Sequence, residues 1–136
     1  MKNTSYYKIL FLVAGLWNLG AAIPCWLGGV IIPEFTFGIF DMTAPSSLFH
    51  FHAMFGFILI FGIGYIMVSR DIAKNHGIIF LGLLGKILFF IDCIFALILK
   101  EANLMLVFVG IIDLIFAVLF IEFLLSAKRT AIKVVA

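Results

Sequence analysis

The sequence predicts an all-α integral membrane protein, a four-helix bundle with both termini in the cytoplasm. Three observations predict it. Of 136 residues, 65% are hydrophobic and only 12% are charged. That is about half the charged fraction of an ordinary soluble domain, so most of the surface must face something other than water. Four apolar runs, near 9–32, 48–69, 77–99 and 104–126, each reach the roughly 20 residues that a helix needs to cross a hydrocarbon core about 30 Å thick. Finally, Lys2, Lys8, Arg70, Lys74, Lys128, Arg129 and Lys133, seven of the nine Lys and Arg, gather at the N-terminus, the loop near 70–76 and the C-terminus. The positive-inside rule makes those the cytoplasmic segments.

Each run is read as a helix because backbone amides in lipid must find partners within their own segment. None shows the alternation of a barrel strand. The first run opens like a signal peptide, "MKNTSYYKILFLVAGLWNLGAA", but continues through "IPCWLGGVII", too far for a cleaved apolar segment. Proline before Cys25 also makes "AIPC" a poor lipoprotein cleavage site, so a retained first helix is expected. An outer loop over 33–47 separates the first two runs. It holds no Lys or Arg, is bracketed by Pro33 and Pro45, and alternates Phe35, Phe37, Ile39 and Phe40 with polar or small residues. It reads either as a short interfacial helix or strand capping the bundle, or as a plain connector. A single transmembrane domain spans 1–136.

The second run carries His50 and His52 in "LFHFHAMFG". On a helix, residues two apart point about 160° from each other and cannot grip one ion together. His52, on the side of Gly56, is the one expected to face inward. In the third run, taking Gly82 as origin, Lys86, Phe89, Cys93, Ala96, Gly85 and Asp92 fall with it inside a wedge of about 120°. The opposite face, with Leu84, Ile87, Ile91 and Ile98, is purely apolar. Small residues mark where helices approach in lipid, so this wedge is expected to face the interior. The fourth run repeats the design with Gly110, Asp113 and Ala117, and the first offers Ala21, Cys25 and Gly29 beside Asn18. Ala53, Gly56, Gly62 and Gly64 serve the second less cleanly. Tyr6, Tyr7, Trp26 and Tyr65 fit anchoring roles where they lie near an interface, whereas Trp17 is too deep for that and is expected to pack.

A charged side chain at bilayer depth is costly and calls for a partner. Counting from the cytoplasmic ends at about 1.5 Å per residue, Lys86 and Asn18 lie ~13 Å deep and Asp113 ~19 Å deep, a difference that a lysine side chain can span. Lys86 and Asp113, with Asn18 and Asp92 in support, are therefore expected to form either a ligand-binding polar floor or a structural ion pair. Cys25, Cys93, His52 and Asp92 fall at similar heights and, with His50 as a further candidate, make up a candidate redox or metal group. Glu122 is expected to snorkel or to pair with Lys128 or Arg129. Two cysteines without a CxxC motif suggest neither a disulfide framework nor a zinc module. No basic patch is dense enough for a nucleic-acid partner, and HExxH, phosphate-loop and GxSxG signatures are absent from the sequence.

"GLWNLGAAIP", "FGIGYIMVSRD", "GLLGK" and "GIIDLIFAVLF" together resemble the layout of DoxX-like small bacterial membrane proteins. The resemblance covers nearly the whole chain on mostly apolar motifs. It implies a four-helix bundle in the bacterial inner membrane and hints at respiratory or redox accessory roles. The leading expectation is a polytopic protein, surrounded by membrane lipids and with a second copy or another membrane protein as candidate partner, that binds and could transport a small or lipid-like ligand in a polar cavity between its helices. Its rivals are a membrane redox protein using the Cys and His residues with a quinone, haem or metal, and an accessory subunit of a larger membrane complex.

Overall fold

The computed structural model describes residues 4–135, with side chains through Lys128. Lys2 and the side chains of Arg129 and Lys133, which enter the charge asymmetry, lie outside the described residues. The helices in order are α1 (Thr4–Ile31), α2 (Pro33–Gly38), α3 (Phe49–Arg70), α4 (His76–Ile98) and α5 (Leu104–Val135). No strand occurs among the described residues. Four helical segments are long and apolar enough to cross a membrane: α1, α3, α4 and Leu104–Lys128 of α5.

The 33–47 segment opens with α2, where Pro33 occupies the start, a position at which the missing amide costs no hydrogen bond. Thr36 and Phe37 are buried, and the Phe37 ring stacks on Phe51 with centroids 4.6 Å apart. Two non-glycine residues, Asp41 and Lys100, adopt φ of 59°, and both sit just past helix ends. After α4, Lys100 N donates to Leu97 O and Glu101 N to Ala96 O. This is the paired closure that satisfies the last carbonyls of a helix, normally built on glycine. Asn103 then caps α5, its Oδ1 accepting from Met105 N at 2.9 Å. It also ties the turn to the α2 segment, donating from N to Phe40 O at 2.9 Å and from Nδ2 to Ile39 O at 3.1 Å.

The long helices associate as two close pairs, α1 with α3 and α4 with α5. Glycine makes the first approach possible. A Cβ on Gly15 would stand 2.9 Å from the carbonyl oxygen of Gly62 and 2.7 Å from Ile66 Cγ1. Along the same line of α1, Gly29 lies against the Phe51 ring. In the second pair, a Cβ on Gly110 would meet Cys93 Sγ at 3.1 Å. Close backbone approach of this kind is how helices gain contact in lipid, where hydrophobic surface alone gives no drive.

Aromatic residues join the two pairs. Phe11 of α1 packs on Phe120 and Phe123 of α5 with centroids 5.0 and 5.2 Å apart. Tyr7 meets Phe123 edge-on at 5.0 Å, and Tyr65 of α3 meets Phe120 at 5.1 Å. Each such pair is worth about 0.5–1.5 kcal/mol beyond its buried area. Tyr65 is thus a core residue, 1% exposed, and not the interfacial anchor that its aromatic-polar character suggested. Trp17 packs against this core. All these contacts lie at the end where α1 begins and α5 finishes, here called the terminal half; the half beside α2 is the far half.

Candidate functional site

Where the terminal-half core ends, a charged cluster begins, and all four long helices contribute to it. Lys86 of α4 projects inward and its Nζ lies 2.6 Å from Asp113 Oδ1 of α5. The same ammonium donates to Asn18 Oδ1 of α1 at 3.2 Å. Asn18 in turn donates from Nδ2 to the Ile58 carbonyl of α3 at 3.3 Å, which fixes its amide with the oxygen facing Lys86. The ammonium also lies 5.6 Å from the centroid of the Tyr65 ring and 5.1 Å from that of Phe116, distances at which aromatic faces attract a cation. Tyr65 reaches this position because residue 82 is glycine. A Cβ there would lie 2.6 Å from Tyr65 Cε1.

The pair is asymmetric. The Lys86 side chain is 4% exposed and that of Asp113 15%. Asp113 Oδ2 has no hydrogen-bond partner among the described residues. Lysine is therefore enclosed by two oxygens and two rings, whereas the carboxylate keeps one oxygen directed elsewhere.

Every buried member of the shared hydrophobic core lies on the terminal side of this cluster: Tyr7 to Ala14 on α1, Tyr65 to Val68 on α3, Ile79 and Leu83 on α4, Phe116 to Phe123 on α5. Beyond it the same inward lines continue through Ala21 and Cys25, Ile58, Phe90 and Leu97, and Leu106 and Val109. Each of these is only half-buried, and Met54 of α3 is exposed. Ala22 and Gly29 of α1, Cys93 of α4 and Gly110 of α5 are buried in this half, Cys93 packed on Gly110 within the α4–α5 pair, as are Thr36, Phe37 and Ala102 near its end. The far half is thus filled less closely between the two helix pairs than the terminal half, and Lys86, Asp113 and Asn18 lie where the two halves meet.

Asp92 does not join that floor. It is exposed and is not a partner of Lys86. Gly85 likewise has nothing within 4 Å of an added Cβ, so one edge of the wedge on α4 is open and only Gly82, Lys86 and Cys93 are buried. His52 is the more enclosed of the two histidines. Its Nε2 is buried without a hydrogen-bond partner, and its ring lies 5.2 Å from that of Trp26. His50 is exposed and stacks edge-on against Phe49. Cys25 and Cys93 are both free thiols, and among the described residues no group of three or more His, Cys, Asp or Glu is placed to hold a metal ion. Glu122 accepts from the Tyr7 hydroxyl at 3.1 Å, a partner across the helix pairs rather than the expected Lys128; Arg129's side chain lies outside the described residues.

Phe116 and Asn103 were not marked by the sequence, and Tyr65 was marked only for anchoring. Asn103 had a readable signal, an asparagine immediately before an apolar run. Phe116 did not, since the chain holds 17 Phe and ring direction decides which of them reach Lys86.

These features define an all-helical chain with four segments fit to cross a membrane and a charged cluster where they converge. No protein-family model, curated protein or solved structure matches the chain.

Proposed function

We propose that this protein is a four-helix bundle of the bacterial inner membrane, with both termini cytoplasmic, that binds a small or lipid-like ligand in its far half. One observation carries the reading: the shared core stops at Lys86, Asp113 and Asn18, and beyond them Ala21, Cys25, Ile58, Phe90 and Val109 are only half-buried. A cluster serving only to hold the helices in register would serve equally well with packed side chains on both sides. Here the aromatic core packs one side, and the other is filled less closely.

Binding from the far side is the activity this shape supports. Passage across the bilayer would require the terminal-half core to part, and that core is filled by Phe11, Phe120 and Phe123, none of them exposed. The basic residues Lys8, Arg70, Lys74 and Lys128 at the terminal end support cytoplasmic termini. The resemblance of its short apolar motifs to those of DoxX-like proteins supports the inner-membrane placement.

Filling this half tests the reading. Val109, one turn beyond Asp113 on α5, and Cys25, on the facing side of α1, are replaced separately by tryptophan. Native mass spectrometry of protein extracted with its lipids is expected to show a retained small molecule or lipid in the wild type and its loss in both variants. Equal retention in all three proteins would refute the far half as a binding site.

A further inference from the structure

We infer that the two helix pairs part at the far end of the molecule, turning about the terminal half, and that Asn103 is the latch that holds them closed. The motion gates entry to the far half. It rests on the binding role proposed above for what the gate admits, whereas the opening itself is a property of the fold.

Each pair is tied along its own length. In the first, Gly15 lies against Gly62 in the terminal half and Gly29 against Phe51 in the far half. In the second, Gly110 takes the side chains of Cys93 and Phe90. Between the pairs, contact is uneven. The chain crosses from one pair to the other once, over 71–75 between α3 and α4, at the terminal end. The ring contacts that join the pairs, from Tyr7, Phe11 and Tyr65 to Phe120 and Phe123, all lie in the terminal half. Those of the far half, Trp26 with His52, Phe37 with Phe51 and Phe51 with Phe55, stay within the first pair and α2. Past the Lys86 cluster, the only hydrogen bonds between the two pairs among the described residues are those of Asn103 to Phe40 O and Ile39 O.

Asn103 is fixed to the second pair and reaches the first. Its Oδ1 caps α5, which leaves Nδ2 to donate across. The Ile39 and Phe40 carbonyls that it meets belong to the strap following α2, and that strap is fastened to the first pair. Gly28 of α1 leaves room for Thr36 Oγ1, and the Phe37 ring stacks on Phe51. Strap and turn each pass through a left-handed non-glycine residue, Asp41 and Lys100, a conformation held only by its surroundings. The Nδ2 bond is exposed, so water replaces it when it breaks and its net contribution is small. Two bonds of this kind allow a minor open population. The half-buried Ala21, Cys25, Ile58, Phe90 and Val109 have less packing to lose on separation than the core of the terminal half.

Cys93 reports the opening. It is 1% exposed and lies two turns beyond Lys86 on nearly the same line of α4, the line that turns Lys86 toward Asn18 of α1. The test measures alkylation of Cys93 by N-ethylmaleimide in the full-length Cys25→Ser protein in lipid nanodiscs. The reference is Val68→Cys, a site buried in the terminal half, in a Cys25→Ser, Cys93→Ala protein. Each rate is divided by that of the unfolded chain. Cys93 is expected to react at least about tenfold faster than the reference, because local opening outpaces global unfolding. Asn103→Asp keeps a cap on α5 but removes the donor to Ile39 O. It should speed Cys93 by about a further tenfold and leave the reference site and amide exchange at Met105 unchanged. Equal rates at the two sites overturn the inference, and this comparison needs no change at Asn103. An Asn103→Asp variant that labels Cys93 no faster, or only together with the reference site, overturns it as well. No ligand enters the labelling, so its failure removes the gate and leaves the tryptophan test of binding standing. Equal ligand retention in the tryptophan variants removes the binding role and leaves the labelling expectation unchanged.

Discussion

Removing Lys86 and Asp113 together should be far milder than removing either alone. At 2.6 Å and an effective dielectric of 20, the Coulomb attraction between the charges is about 6 kcal/mol. Most of this is offset by taking two ions out of water, so a buried pair is worth roughly as much as well-packed apolar residues of the same volume. A single replacement is different, because it strands a charge, at about 3–5 kcal/mol. Asp113→Leu should fall at the upper end, since it leaves an ammonium with one oxygen partner in a site 4% exposed. Lys86→Met should fall at the lower end, since the carboxylate it strands is the more exposed partner, at 15%. The double variant should lie within about 1 kcal/mol of wild type. Dodecyl sulfate titration in mixed micelles, read by the fluorescence of Trp17 at the edge of the core, measures all four proteins. If the double variant loses the sum of the two single losses, the side chains act independently and the interior pair is not the device described.

Three further outcomes follow from the same contacts. Gly15→Ala drives a methyl group against a backbone oxygen 2.9 Å away and should cost about 1–3 kcal/mol by overpacking in the same titration, whereas Gly20→Ala, with nothing within 4 Å, should not destabilise the protein. Asn103→Ala removes both the α5 cap and the bond to Ile39 O, and should cost about 1 kcal/mol and speed amide exchange at Met42 relative to Val68. Lys100→Gly relieves a left-handed residue and should raise thermal stability by about 1 kcal/mol, with Lys100→Ala giving no such gain.

The four long helices were legible because hydrophobic length is a property of the chain alone. The meeting of Lys86 with Asp113 and Asn18 was legible for a related reason: height along a helix follows from counting residues. Rotation about the axis was harder. The third run's wedge was wide enough to include directions toward two neighbours and toward open surface, and nothing in the sequence says on which side α3 stands. Lys86 and Asp92 were therefore grouped, while the structure buries one and exposes the other. Gly15 was passed over for a similar reason. It stands among other small residues, and only the position of Gly62 O makes it the closest point of the α1–α3 seam.

The order of the cluster along the chain has a consequence for assembly. Asn18 precedes Lys86 by 68 residues, and Asp113 follows it by 27. The α1–α3 seam is complete in sequence before α4 begins, so the amide of Asn18, held by the Ile58 carbonyl, can be in position when the lysine arrives. The carboxylate is synthesised last. Asn18 is then the first oxygen that the ammonium can reach, holding α4 against the earlier pair until α5 brings the opposite charge.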